Sequence, residues 1–376
     1  MKNRIDDIEA LRAFAVLAVV LQHVNGNLID WSSGSLSLLH DYFGGWVGVD
    51  LFFAISGFVI AKTLIPKLKS TSGNSEFFSE CLSFWVRRIY RLLPSAWLWL
   101  LIMMVLVIAF NNHGIFGNIR ENWQSTIAAL LNVANFHFAE VYGTGGQRTN
   151  FVYWSLSLEE QFYLLFPLVI FLSRKWLPHL IFVAFIYMIV TPTEGSDLVF
   201  RTHAILGGVL LAMWSKHDSY QLMNPTILAT STGAKVFTIG LLLMLLVSLG
   251  AEGLMITQWR ISVIAIVSIL LVGIASFNGN YIIPANSLLK GLVLWAGARS
   301  YAIYLTHIPC FFFSRELCLR IQGIYPDFSD YYRPSVIVVA FVLIVITSEL
   351  NFRWVESPLR SRGAQVSRGI SLRSVN

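Results

Sequence analysis

Residues 8–28, IEALRAFAVLAVVLQHVNGNL, form an apolar run as long as the roughly 20 residues a helix needs to cross a bilayer core. Arg12 interrupts the run and no small-residue cleavage site follows it, so a retained helix is expected and not a cleaved signal peptide. Comparable blocks recur at about 43–62, 92–110, 151–172, 177–193, 198–215, 236–250, 259–277, 290–313 and 334–352. Of 376 residues, 56% are hydrophobic and 13% charged, whereas charged residues make up roughly 25% of a soluble domain. A soluble helical core would show a polar face recurring at helical period, which these blocks lack. The expected fold is all-α: one polytopic transmembrane bundle of about ten helices.

Basic residues orient the bundle, because Lys and Arg accumulate on cytoplasmic loops. With Lys2 and Arg4 inside, the first outer loop carries neither, and the next inner loop holds Lys62, Lys67, Lys69, Arg87, Arg88 and Arg91. The weaker block at 123–140 contains Asn132, Asn135, His137 and Glu140. If it crossed, every later loop would invert and oppose the rule, so 111–150 is expected to be a long outer loop. Both termini are then cytoplasmic, at the cost of placing Arg315, Arg320 and Arg333 outside. Residues 361–376 are expected to form a short basic cytoplasmic tail, disordered over QVSRGISLRSVN. The net charge of +6 is accounted for by helix flanks, so no nucleic-acid partner is expected. Cys81, Cys310 and Cys318 make neither a disulfide framework nor a metal-ligand spacing. No metal is expected.

Ionisable residues within spanning helices are costly and by default mark function. Arg12 and His23 are close to three turns apart, on one face and separated by about 16 Å in depth. The bland alternative has Arg12 snorkelling to headgroups and His23 at the outer interface. Other blocks, however, bring Asp50, Glu159, Tyr163, Arg201, His203, Tyr304 and His307 in from the outer side at a similar depth. A histidine beside a carboxylate is the composition of a general base and its orienter, although a structural salt-bridge network would use the same residues. At the opposite mouth, Arg88 and Arg91 lie three apart and, with Arg12, would suit phosphate, which guanidinium groups bind bidentately. Ordinary positive-inside anchoring competes with that reading. Trp31, Tyr42, Trp46, Trp123, Tyr142 and Trp154 would stack on sugar faces or form an interfacial belt.

These strings resemble the acyltransferase 3 family of membrane O-acyltransferases, which includes bacterial O-antigen and exopolysaccharide O-acetyltransferases. The resembling pieces are Arg12 and His23 in the first block, GGWVGVDLFFAISGF (44–58), RIYRLLP (88–94), WSLSLEEQFYLLFP (154–167), SYAIYLTH (300–307) and FRWVESP (352–358). The resemblance implies a membrane acyltransferase domain over residues 1–360, multi-pass in a bacterial inner membrane. It implies transfer of an acyl group, usually acetyl from acetyl-CoA, to a sugar hydroxyl of a surface or lipid-linked glycan. His23 matches the catalytic histidine, and Arg88 and Arg91 match a pair on the acyl-CoA side, joined here by Arg12. Glu159 matches the glutamate of the family's string; it or Asp50 would orient His23. Tyr163, Tyr304, His307 and Arg201 are candidate substrate contacts. Some relatives add an extracytoplasmic hydrolase-like domain, and this chain resembles the standalone form. No permanently bound cofactor is expected. The rivals are a proton-coupled transporter, which would show repeat symmetry and broken helices, and a glycan-binding or flipping protein, which needs no donor arginines.

Overall fold

The computed structural model describes residues 5–31, 36–143, 149–254, 257–285, 287–322 and 334–373. Lys2, Arg4 and Arg333, which enter the charge-based orientation of the bundle, lie outside them. The described chain is helical, in the order α1 (Asp6–Val24), α2 (Ser37–Tyr42), α3 (Gly48–Lys69), α4 (Asn74–Ala109), α5 (Ile119–Leu130), α6 (Ala134–Glu140), α7 (Tyr153–Ser173), α8 (Leu177–Val190), α9 (His203–Trp214), α10 (Asp218–Gln221), α11 (Ile227–Thr230), α12 (Thr232–Leu249), α13 (Arg260–Ser276), α14 (Lys290–Ala298), α15 (Ser300–Gln322), α16 (Pro334–Asn351) and α17 (Ser357–Arg373). There is no strand among the described residues, only an isolated bridge between Asn25 and Ile29. Six helical segments are long and apolar enough to cross a bilayer: Ser37–Lys69, Asn74–Ala109, Tyr153–Val190, Gly195–Trp214, Thr232–Leu249 and Pro334–Ser371. These make the chain a multi-pass membrane protein. Helix α1 is not among them, because Asp6, Asp7, Glu9 and Arg12 crowd its first half.

Nine of the ten apolar blocks are each centred on one helix, while 123–140 breaks into α5 and α6. At 12 and 7 residues, neither reaches the length needed to span. The core forms where backbones approach closely. A Cβ on Gly57 of α3 would fall 2.1 Å from the Ile205 carbonyl oxygen, and one on Gly208 of α9 would fall 2.3 Å from that of Ala54. Glycines set against a neighbouring backbone in this way let two helices pack at backbone distance where no hydrophobic force drives them together. Helix α1 packs against α3, α13, α14 and α15 and so lies inside the bundle despite its charges.

Three expectations are corrected. The block at 92–110 is the second half of a single 36-residue helix, α4, about 54 Å long, whose first half carries Arg87, Arg88 and Arg91. The block at 290–313 is two helices, α14 and α15. The chain turns at Arg299, whose guanidinium is held by both carboxylate oxygens of Glu349 on α16. The tail expected to be disordered is the helix α17, reached from α16 through one π-helical turn at Phe352–Glu356. It packs along the first half of α4: Arg87 Nη1 donates to Ser367 Oγ at 2.6 Å and to Ser83 Oγ at 2.7 Å, and Gly363 rests on Tyr90. Pro358, Gly363 and Gly369 argue locally against a helix, but buried Glu356, Gly363 and Ser367 follow one face and overrule them.

Candidate active site

Helices α1, α3, α4, α7 and α15 enclose a cavity lined by Arg12, Ser56, Arg88, Arg91, Ser155, Glu159, Tyr163, Tyr301 and Tyr304, with Val49, Phe52, Phe53, Val59 and Ile60 as its apolar wall. The three arginines expected at one mouth and the Glu159–Tyr163–Tyr304 group expected at a separate layer therefore share one space.

The basic side is only partly neutralised. Arg12 Nη1 lies 3.0 Å from Glu9 Oε1, one turn back on α1. Arg88 has no carboxylate in ion-pair range among the described residues; its guanidinium lies over the rings of Tyr163, at 5.1 Å, and Phe84, at 5.5 Å. Arg91 likewise has no carboxylate in range, and its buried Nε finds no hydrogen-bond partner among the described residues. Glu159 faces them from α7 and accepts from the hydroxyls of Ser56 on α3 and Tyr163 one turn on. At the other end of the cavity the Tyr304 hydroxyl donates to the Val152 carbonyl at 3.0 Å and lies 2.7 Å from Ser155 Oγ.

His23 is not part of the cavity lining. It stands at the end of α1, and its Nδ1 lies 2.9 Å from Nε2 of His307, whose own Nδ1 lies 2.7 Å from the Tyr304 carbonyl. The Phe151 ring meets the His23 ring edge-on at 5.0 Å. Neither carboxylate expected to orient His23 does so. Asp50 is engaged by Arg201, with Nε at 2.9 and 3.2 Å and Nη2 at 3.1 Å, and Glu159 by its two hydroxyls. A buried carboxylate must be matched by a charge or by several donors, and both have found them elsewhere.

Two candidate substrate contacts are likewise engaged outside the cavity lining. Arg201 is 5% exposed, paired with buried Asp50, and lies over the rings of Trp46 and Trp154 at 5.1 and 4.7 Å. His307 is fully buried against His23. Tyr163 and Tyr304 do line the cavity. Sequence reasoning missed Ser56, Ser155 and Tyr301; all three sit within the quoted strings and were hidden only by their ordinary residue types.

A family model described as an acyltransferase domain matches residues 5–357. "O-acetyltransferase OatA" of Staphylococcus aureus is 26% identical, the alignment covering 95% of this chain and 57% of that protein. "Peptidoglycan O-acetyltransferase OatA" of Listeria monocytogenes is 26% identical over 96% of this chain and 57% of its own length. "Putative peptidoglycan O-acetyltransferase YrhL" of Bacillus subtilis is 28% identical over 96% and 55%. The chain thus spans somewhat over half the length of the curated relatives it matches. No solved structure matches it. With its helical membrane bundle and a family match running over nearly its whole length, the chain belongs to the acyltransferase 3 family.

Proposed function

We propose that this protein is a membrane O-acyltransferase that moves an acyl group, acetyl by preference, from cytoplasmic acyl-CoA to a sugar hydroxyl of an envelope glycan. The observation that carries the reading is the cavity itself: Arg88 and Arg91, free of carboxylate partners among the described residues, share it with Arg12 and lie opposite Glu159 and Tyr304. Uncompensated guanidinium groups suit an anionic ligand, and the CoA phosphates supply one. Ten spanning helices with both termini cytoplasmic would put this arginine end on the CoA side. The relatives' names make peptidoglycan an acceptor to try beside lipopolysaccharide and exopolysaccharide.

His23 acts as the base. It removes the acceptor O–H proton as that oxygen bonds to the thioester carbon; the C–S bond breaks and the departing CoA sulfur takes the proton from His23. No net acid or base is consumed. Positioned proton transfer contributes typically 10²–10⁴-fold. His23→Ala should therefore lower label transfer from acetyl-CoA to glycan in proteoliposomes by about 10²-fold or more, with the protein still inserted. Wild-type transfer by that variant would remove the assignment.

A further inference from the structure

We infer that His307 is the positioning residue that fixes the tautomer of His23, and that a backbone carbonyl, not a carboxylate, anchors the relay. The inference rests on the reading of His23 as the base.

The hydrogen-bond chain leaves one assignment of protons for a neutral pair. A carbonyl oxygen can only accept, so His307 Nδ1, 2.7 Å from the Tyr304 carbonyl, carries its proton. A neutral imidazole has one N–H, which leaves His307 Nε2 a bare acceptor. That atom lies 2.9 Å from His23 Nδ1, so His23 Nδ1 is the donor. The second nitrogen of His23, Nε2, is then the bare one, which is the atom a general base needs. The ring geometry agrees. The planes are 12° apart and the centroids 5.1 Å apart, about two ring radii more than the nitrogen separation. The rings therefore lie edge to edge, as an in-plane N–H···N bond requires, and not face to face. Phe151, at 89° to the His23 ring, limits its rotation about that bond.

This relay has a chemical consequence. When His23 Nε2 takes the hydroxyl proton, the imidazolium keeps Nδ1–H directed at the His307 lone pair, which stabilises the new charge. The charge can pass no further than His307, because the Tyr304 carbonyl at the end of the chain is not a base. The leaving sulfur then takes the proton held on His23 Nε2. A carboxylate partner would hold a standing negative charge beside the base; here the resting pair carries none.

The test compares three substitutions at His307 with His23→Ala in the same proteoliposome assay. His307→Gln places an amide oxygen near the former Nε2 and can still accept from His23. His307→Asn can donate to the Tyr304 carbonyl but is too short to reach His23, and His307→Leu offers no acceptor. We expect Leu and Asn to lower kcat by about 10²-fold with KM for acetyl-CoA within about twofold, and Gln to recover at least about tenfold of that loss. The kcat–pH profile of the Gln variant should also keep the wild-type shape. Wild-type rates for Asn or Leu, or equal losses for Gln and Asn in proteins that elute and melt alike, would overturn the inference. If His23→Ala itself retains activity, the reading of His23 as the base fails instead.

Discussion

Arg201 and Arg88 are both arginines inside one helical bundle, and their surroundings are opposite. Arg201 has its Nε and Nη2 on Asp50, its Nη1 on the Leu198 carbonyl at 2.6 Å, and two tryptophan rings within reach. Arg88 has aromatic rings but no carboxylate among the described residues, and it faces a cavity. The first arrangement is complete without a ligand and ties the start of α3 to the segment before α9. The second, together with Arg91, presents guanidinium groups that form no ion pair among the described residues to whatever fills the space. A charge within a membrane bundle is thus not in itself a functional mark; the mark is a charge whose partner is missing.

That contrast can be broken most directly by removing Asp50. Breaking a buried pair from one side leaves an uncompensated charge and costs about 3–5 kcal/mol. Asp50→Ala should therefore lower the melting temperature in detergent and the yield of folded protein more than loss of either cavity arginine. An unaltered melting temperature would show that the pair is no strut. Next in size is Arg88→Ala combined with Arg91→Ala. Two charge-assisted hydrogen bonds at about 1.5 kcal/mol each correspond to an acetyl-CoA affinity weaker by about 10²-fold, with little change in melting. Calorimetric titration of the purified variant checks this, and an unchanged Kd would remove the arginines from the donor site. Smallest is Asp6→Asn. Lys290 Nζ lies 3.3 Å from an Asp6 that is 40% exposed, and it keeps Asn280 at 2.9 Å. Solvent-exposed pairs contribute about 0–1 kcal/mol, so the melting curve should barely move. A loss as large as that of Asp50→Ala would erase the distinction between buried struts and surface pairs.

The same distinction explains what was legible in the sequence. The apolar blocks, the non-spanning character of 123–140 and the convergence of Arg12, Arg88 and Arg91 follow from composition over windows of about 20 residues. The pairing of Asp50 with Arg201 joins residues 151 apart in the chain, and that of His23 with His307 joins residues 284 apart. Residue type gave no clue to either, because aspartate suits arginine and histidine equally well. Helix α17 is not legible because its glycines and proline are locally unfavourable and its stability comes from α4.

Local chain composition by itself determined that this protein is a membrane helix bundle with polar side chains carried into it, since transferring a helix of that length to lipid depends on the helix alone. Only the tertiary structure decided which of those side chains are closed upon each other and which are left open. A buried charge or ring nitrogen is satisfied by whatever atom packing places within about 3 Å. Packing here is set by contacts such as Gly57 against Ile205 and Gly208 against Ala54, which bring distant helices to backbone distance.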